Sequence, residues 1–144
     1  MKNLFSARAA AIGILVILSL VVVFHLLVLT GVIPYGIVWG GRLTSHEQML
    51  RFETVSITLN LLMLAVVGVV AGWLRLRVSW GLLKAALWLM TGLFLLNTLG
   101  NLMAQTNLER LVFTPLTLLL ALGSLRLAIS KPRLTTPAAP VDFR

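Results

Sequence analysis

Three observations predict an all-α membrane protein built as a four-transmembrane-helix bundle: overall hydrophobicity, four long apolar stretches, and charges confined to the gaps between them. Hydrophobic residues make up 59% of the 144-residue chain and charged residues only 11%, whereas a soluble domain carries about 25% charged residues. The stretches cover about 9–31, 54–74, 81–104 and 111–129. Each approaches the roughly 20 apolar residues that cross the hydrocarbon core as a helix.

The first span begins after Lys2 and Arg8, as a signal peptide would. Its apolar run exceeds the about 7–15 residues of a signal-peptide core, and no small-x-small cleavage site follows it, so we interpret it as a retained span. It is expected to stop at Ile33-Pro34, because proline lacks an N–H and disfavours helix in the preceding residue.

The segment 32–43 (VIPYGIVWGGRL) is too apolar for an ordinary loop, and its three glycines disfavour a regular helix. Tyr35 and Trp39 carry rings that favour the headgroup level of a membrane. We expect this outer interfacial segment, including Arg42, to lie along the membrane surface or to fold back as a lid over the bundle mouth.

The start of the second span carries two overlapping capping-box patterns, Thr44-x-x-Glu47 and Ser45-x-x-Gln48. A helix is predicted to begin there and to continue into the span. Near its end, Gly68-x-x-x-Gly72 predicts a close helix–helix contact.

Short connections join the later spans, which predicts that spans two and three, and three and four, are antiparallel neighbours. Pro115 lies in the first turns of span four, where its missing N–H costs least. Residues 1–130 thus form one transmembrane domain. The remainder, 131–144, is rich in proline and poor in apolar pattern, and we predict a disordered cytoplasmic tail.

The distribution of lysine and arginine predicts the orientation. Assigning ends and connections alternately to the two sides places nine of these residues beside the termini and three on the other side. The richer side faces the cytoplasm, so both termini are predicted to be cytoplasmic. The net charge of +8 is explained by cations that contact the headgroups of the lipid bilayer, and we expect no nucleic-acid partner.

Every predicted span contributes a polar side chain to one layer, which lies about 6–12 Å below the outer ends at about 1.5 Å per helical residue. This candidate polar cavity comprises His25, Glu53, Asn60, Asn97, Asn101 and Thr117. Asn97, Asn101 and Gln105 recur at intervals of four and so share one helix face. Amides in hydrocarbon need hydrogen-bond partners, so that face is expected to point inward.

Two interpretations of the polar layer stay open. Its side chains could serve only as packing contacts between helices, worth about 0.6–2 kcal/mol each, or they could line a small cavity open to the outer side. Glu53 is expected to pair with Arg42 or Arg110, because Arg51 is two positions away on the helix and does not face it. Glu109 is interpreted as an interfacial residue at a helix start.

Known catalytic and metal-binding patterns are missing from the sequence. There is no cysteine, no phosphate-binding loop and no nucleophile–base constellation. His25 and His46 lack the converging ligands that a metal requires. We therefore predict a non-enzymatic protein with no cofactor and no metal site.

Three segments resemble those of a group of small, uncharacterised four-span bacterial membrane proteins with no known activity. The segments are IPYGIVWGGRL (33–43), FETVSITLN (52–60) and NTLGNLMAQTNLER (97–110), about a third of the chain. The resemblance implies a four-helix fold in a bacterial inner membrane, and it transfers no functional residues.

Two functional hypotheses follow. The first is an accessory or structural membrane component, assembled with a membrane-protein partner or as a homo-oligomer. The second is a binder or transporter of a small molecule, with its site in the outer half of the bundle. The two differ in whether the polar layer holds a ligand.

Overall fold

The computed structural model describes residues 6–130, and the predicted tail at 131–144 lies outside them. Four helices form this part of the chain, and it contains no strand. They are α1 (Ala7–Leu29), α2 (His46–Val70), α3 (Trp80–Leu102) and α4 (Thr114–Ala128), the last continuing from a π-helical turn at Glu109–Phe113. All four spans are long and apolar enough to cross a membrane. The predicted fold class is confirmed, and the chain is a multi-pass membrane protein.

Connections between the helices define two ends of the bundle. We call the end with connections 30–45 and 103–108 the lid end. The end with Ser6, connection 71–79 and Ser130 is the tail end. The location of the tail end in the cytoplasm stays a prediction.

Helices α1 and α2 both end at a glycine in the left-handed conformation. Gly31 (φ 79°) follows α1 and Gly72 (φ 78°) follows α2. After α2, the N–H groups of Gly72 and Trp73 donate to the carbonyls of Val69 and Gly68, which is the Schellman pattern. Because Gly31 stops it, α1 ends at Leu29, before Pro34 is reached. The Gly68–Gly72 motif caps α2, and the predicted helix–helix contact there is wrong.

The helices form an open arc in the order α2, α1, α4, α3. α1 packs against both α2 and α4, and α3 packs mainly against α4. α2 and α3 contact each other only sparsely, although a short connection had predicted them to be neighbours. The nine residues 71–79 are long enough to let the two helices stand apart, so a cleft separates them.

The apolar core lies in the tail half of the bundle. Buried side chains of all four helices meet there, including Leu18, Val67, Leu87 and Leu120. α1 and α4 approach closely at Gly123, where a Cβ atom would lie 3.0 Å from Ile14 Cγ1. The lid half is built differently, with polar side chains at its centre.

Candidate functional site

Glu53 is the centre of a buried hydrogen-bonded group at the lid end. Its side chain is completely buried. Oε2 of Glu53 lies 2.6 Å from Nδ1 of His25 on α1, and Oε1 accepts the indole N–H of Trp39 at 2.8 Å. One carboxyl group therefore joins α1, α2 and the lid segment. The predicted pairing of Glu53 with Arg42 or Arg110 is wrong, and both arginines are exposed.

Glu109 forms a second such group on the opposite side of the lid. Both of its carboxyl oxygens accept from the backbone N–H of Gly40, at 2.9 and 2.8 Å. The hydroxyl of Thr106 donates to Oε2 at 2.6 Å. Glu109 stands at a helix start, as expected, and it is only 8% exposed, so its carboxyl group is part of the protein interior.

Between these two carboxyl groups the lid has an unusual backbone. Trp39, Gly40 and Gly41 have consecutive positive φ angles of 56°, 69° and 71°. A left-handed conformation costs a non-glycine residue about 1–2 kcal/mol, so Trp39 is strained. The turn lets adjacent residues point apart: the Trp39 ring reaches Glu53 while the Gly40 N–H reaches Glu109. Such strain persists where surrounding contacts fix it, often at functional sites.

The π-helical turn before α4 sets the position of Glu109. Thr114 donates both its N–H and its hydroxyl to the carbonyl of Glu109. Pro115 follows directly and has no N–H to donate, so the regular hydrogen-bond ladder cannot extend through it. Single π turns of this kind occur frequently at functional sites.

Beneath the lid is a cavity of about 280 Å³, to which all four helices contribute. Its polar lining comprises His25, Trp39, Ser56, Asn60, Asn97, Asn101, Glu109 and Thr117. The rest of the wall is apolar, and includes Phe94, Phe113 and Leu120. Five of the six predicted cavity residues therefore line this cavity. The sixth, Glu53, lies behind the lining, bonded to His25 and Trp39.

The asparagines of the cavity lack hydrogen-bond partners for all or part of their side chains within residues 6–130. Asn60 donates from Nδ2 to the Ser56 carbonyl, 2.8 Å away on its own helix. No described residue donates to its side-chain carbonyl, and the Asn97 side chain makes no hydrogen bond within residues 6–130. An amide without partners is costly at membrane depth. These groups are therefore available to water or to a ligand in the cavity.

Thr117 behaves as the packing interpretation expects. Thr98 and Asn101 of α3 place side-chain donors 2.9 and 3.4 Å from its hydroxyl oxygen. The Thr117 hydroxyl itself donates to backbone carbonyls of its own helix. This group holds α3 against α4, and it is the only polar side-chain link between those two helices in the described part of the chain.

The cavity opens laterally between α2 and α3. Leu59 and Asn97 both line it, and both are exposed on the outer surface of their helices. Because α2 and α3 scarcely touch, the opening faces the side of the bundle, where the membrane would be. A polar amide beside a lateral opening distinguishes this cavity from a closed packing defect.

The remaining lid residues lie away from the cavity. Tyr35 packs on an apolar cluster under the lid that includes Val28, Val38 and Met49. Arg42 is exposed and does not line the cavity. Gln105 lies beyond the end of α3 and is exposed, so it does not join Asn97 and Asn101 at the cavity, and Asn97 itself lies at the lateral opening instead of pointing fully inward as predicted.

Sequence reasoning missed Glu109, although one signal marked it. Thr106-x-x-Glu109 precedes an apolar run, and this spacing is typical of a capping box. Thr106 and Glu109 do bond each other, but the carboxyl group also binds the lid 69 positions earlier. No sequence pattern indicates that second contact.

A search against protein-family models, curated proteins and solved structures finds no match for this chain. Within residues 6–130, no three His, Asp or Glu side chains converge as metal ligands would. The cavity wall carries hydrogen-bond acceptors at its amides and at Glu109, and the carboxyl groups of Glu53 and Glu109 hold the lid in place.

Proposed function

We propose that this protein binds a small molecule carrying N–H donors in the lid-end cavity, without transforming it, in a bacterial inner membrane. The observation that carries the proposal is the set of polar groups in this cavity that no described residue satisfies. Asn60 and Asn97 offer acceptors to an occupant, and Glu109 adds a carboxyl group to the same wall.

Charge at the site favours the same ligand class. Glu53 and Glu109 are buried, and neither forms an ion pair with a lysine or arginine of the described chain. A donor-rich solute such as an amine or amide complements the acceptors of the wall, whereas an anion would meet the Glu109 carboxyl group. The volume of about 280 Å³ lies just below the roughly 300–1,000 Å³ typical of ligand pockets, so the ligand is small.

Native mass spectrometry of protein extracted gently from its own membrane tests the proposal. We expect an additional mass of metabolite size that survives mild activation and is lost from Asn97→Leu. Asn107→Leu is the matched control, since Asn107 is exposed and outside the cavity wall. A bare chain of 15.7 kDa, together with no thermal stabilisation across a panel of small amines and amides, would contradict it.

A second candidate function rests on the cleft between α2 and α3. A transmembrane helix of a partner protein, or of a second copy, would cover the exposed apolar side chains of α2 and pair with Asn97. The protein would then be an accessory subunit, and its polar layer would form part of the interface with the partner helix. The same mass spectrum separates the candidates, because a co-purifying chain would replace the metabolite-sized mass.

A further inference from the structure

At the tail end lies a second cavity, of about 280 Å³, where the four helices converge. Its walls come from the first turns of α1, the last turn of α2 and the residues after it, the start of α3, and the end of α4. We propose that this cavity binds the headgroup of an anionic phospholipid. The site is independent of the lid-end cavity.

The charge of the tail end favours an anion. Arg8 lines the cavity, and it forms no ion pair with a described residue. Five described cations lie at this end, namely Arg8, Arg75, Arg77, Lys84 and Arg126, and the three described acids all lie toward the other end. Ser130, which also lines the cavity, accepts a hydrogen bond from Arg126 at 2.8 Å.

The aromatic residues of the cavity favour a lipid over a soluble anion. Trp73 and Trp80 both line it, and Trp73 is 65% exposed. Indole rings favour the headgroup level of a membrane, where one edge is wet and the other apolar. Their position therefore places Arg8 at the depth of lipid phosphates.

The inner wall is suited to the apolar part of an amphiphile. Ala11, Ile12, Val70 and Leu127 form it, and none of them offers a side-chain hydrogen bond. A phosphate bound by Arg8 would bring its glycerol and upper acyl carbons against these residues. Inorganic phosphate would leave that wall in contact with water.

Native mass spectrometry of the full chain titrated with phosphatidylglycerol or phosphatidylcholine tests the proposal. Each interfacial Lys or Arg near an anionic surface contributes enough to change binding about fivefold. We expect phosphatidylglycerol to be retained about fivefold better than phosphatidylcholine, and Arg8→Gln to abolish that preference. Arg75→Gln is the matched control, because Arg75 is an exposed cation outside the cavity wall.

A second variant keeps the test decisive if Arg8→Gln does not fold. Ala71→Phe fills the cavity without changing charge, and it is expected to weaken phosphatidylglycerol retention similarly. Equal retention of the two lipids by the wild type, or equal losses from Arg8→Gln and Arg75→Gln, would overturn the site. Displacement of the lipid by millimolar inorganic phosphate would overturn the lipid assignment and show a free-anion site.

Discussion

The two ends of the bundle enclose cavities of the same volume with opposite chemistry. The polar lining of the lid-end cavity consists of three amides, two hydroxyls, an imidazole, an indole and a carboxyl group, whereas the tail-end cavity is lined by Arg8, two indoles, one serine and aliphatic side chains. Around them, the tail half is a packed apolar core, whereas the lid half is joined by hydrogen bonds. The two halves are therefore held together by different interactions, hydrogen bonds at the lid end and apolar packing at the tail end, so mutations can separate their contributions to stability.

Breaking the Glu53 group is expected to have the largest effect on the lid half. Glu53→Leu leaves the half-buried His25 and Trp39 without their acceptor, and each unpaired polar group costs about 1–3 kcal/mol. We expect the free energy of unfolding in mixed micelles to fall by about 2–6 kcal/mol.

Glu47→Leu on the same helix is the control for Glu53→Leu. Glu47 is exposed and pairs only with Arg51, and exposed pairs contribute about 0–1 kcal/mol. Equal losses of stability from the two variants would show that the buried group does not hold the lid half together.

The tail half is expected to be most sensitive where α1 and α4 touch. In Gly123→Ala the new Cβ would lie 3.0 Å from Ile14 Cγ1, and overpacking of a core costs about 1–3 kcal/mol. Thermal unfolding measures the loss, and Gly92→Ala is the control, since nothing lies within 4 Å of its Cβ position. Ile14→Ala removes the clash. The double variant is therefore expected to lose less stability than the two single variants lose in sum.

Gly40→Ala tests the backbone conformation of the lid itself. It forces a side chain into the left-handed region at φ 69°, at a cost of about 1–2 kcal/mol. We expect faster amide hydrogen exchange at residues 38–42 and little change in the tail half. Gly36→Ala, where φ is not positive and nothing lies within 4 Å, is expected to leave exchange unchanged. Uniform acceleration in both halves would contradict a local role.

The smallest expected effect is a gain of stability in the tail half. Ser124 is completely buried, and its hydroxyl has no hydrogen-bond partner in the described part of the chain. Ser124→Ala removes this unpaired group, so we expect unfolding free energy to rise by about 0.5–1 kcal/mol. A loss of unfolding free energy of comparable size would instead show that the Ser124 hydroxyl is hydrogen-bonded in the folded protein.

Much of the fold was predictable because membrane spans depend on length and composition. The four apolar stretches marked the helices, and the depths of His25, Glu53 and the asparagines indicated a shared layer. The helix ends were less predictable, since glycines at positions 31 and 72 stop α1 and α2 through backbone conformation. The arc of helices follows from side-chain packing, which no spacing rule for short connections captures.

The contacts of the lid were beyond sequence reasoning for a different reason. Trp39 was identified as an interfacial ring, but its bond to Glu53 depends on three consecutive left-handed residues, one of them a strained tryptophan. Glu109 reaches Gly40 only because a π-helical turn and Pro115 set its position. Both contacts join residues distant in the chain, through conformations that residue preferences disfavour or leave open.

The two carboxyl anchors of the lid also have a mechanical consequence. Since Trp39 is bonded to Glu53 on α2 and Gly40 to Glu109 at the start of span four, the lid acts as a strap that fixes the spacing of these spans at one end. Separating α2 from the start of span four at this end therefore requires one of these two hydrogen-bonded groups to break.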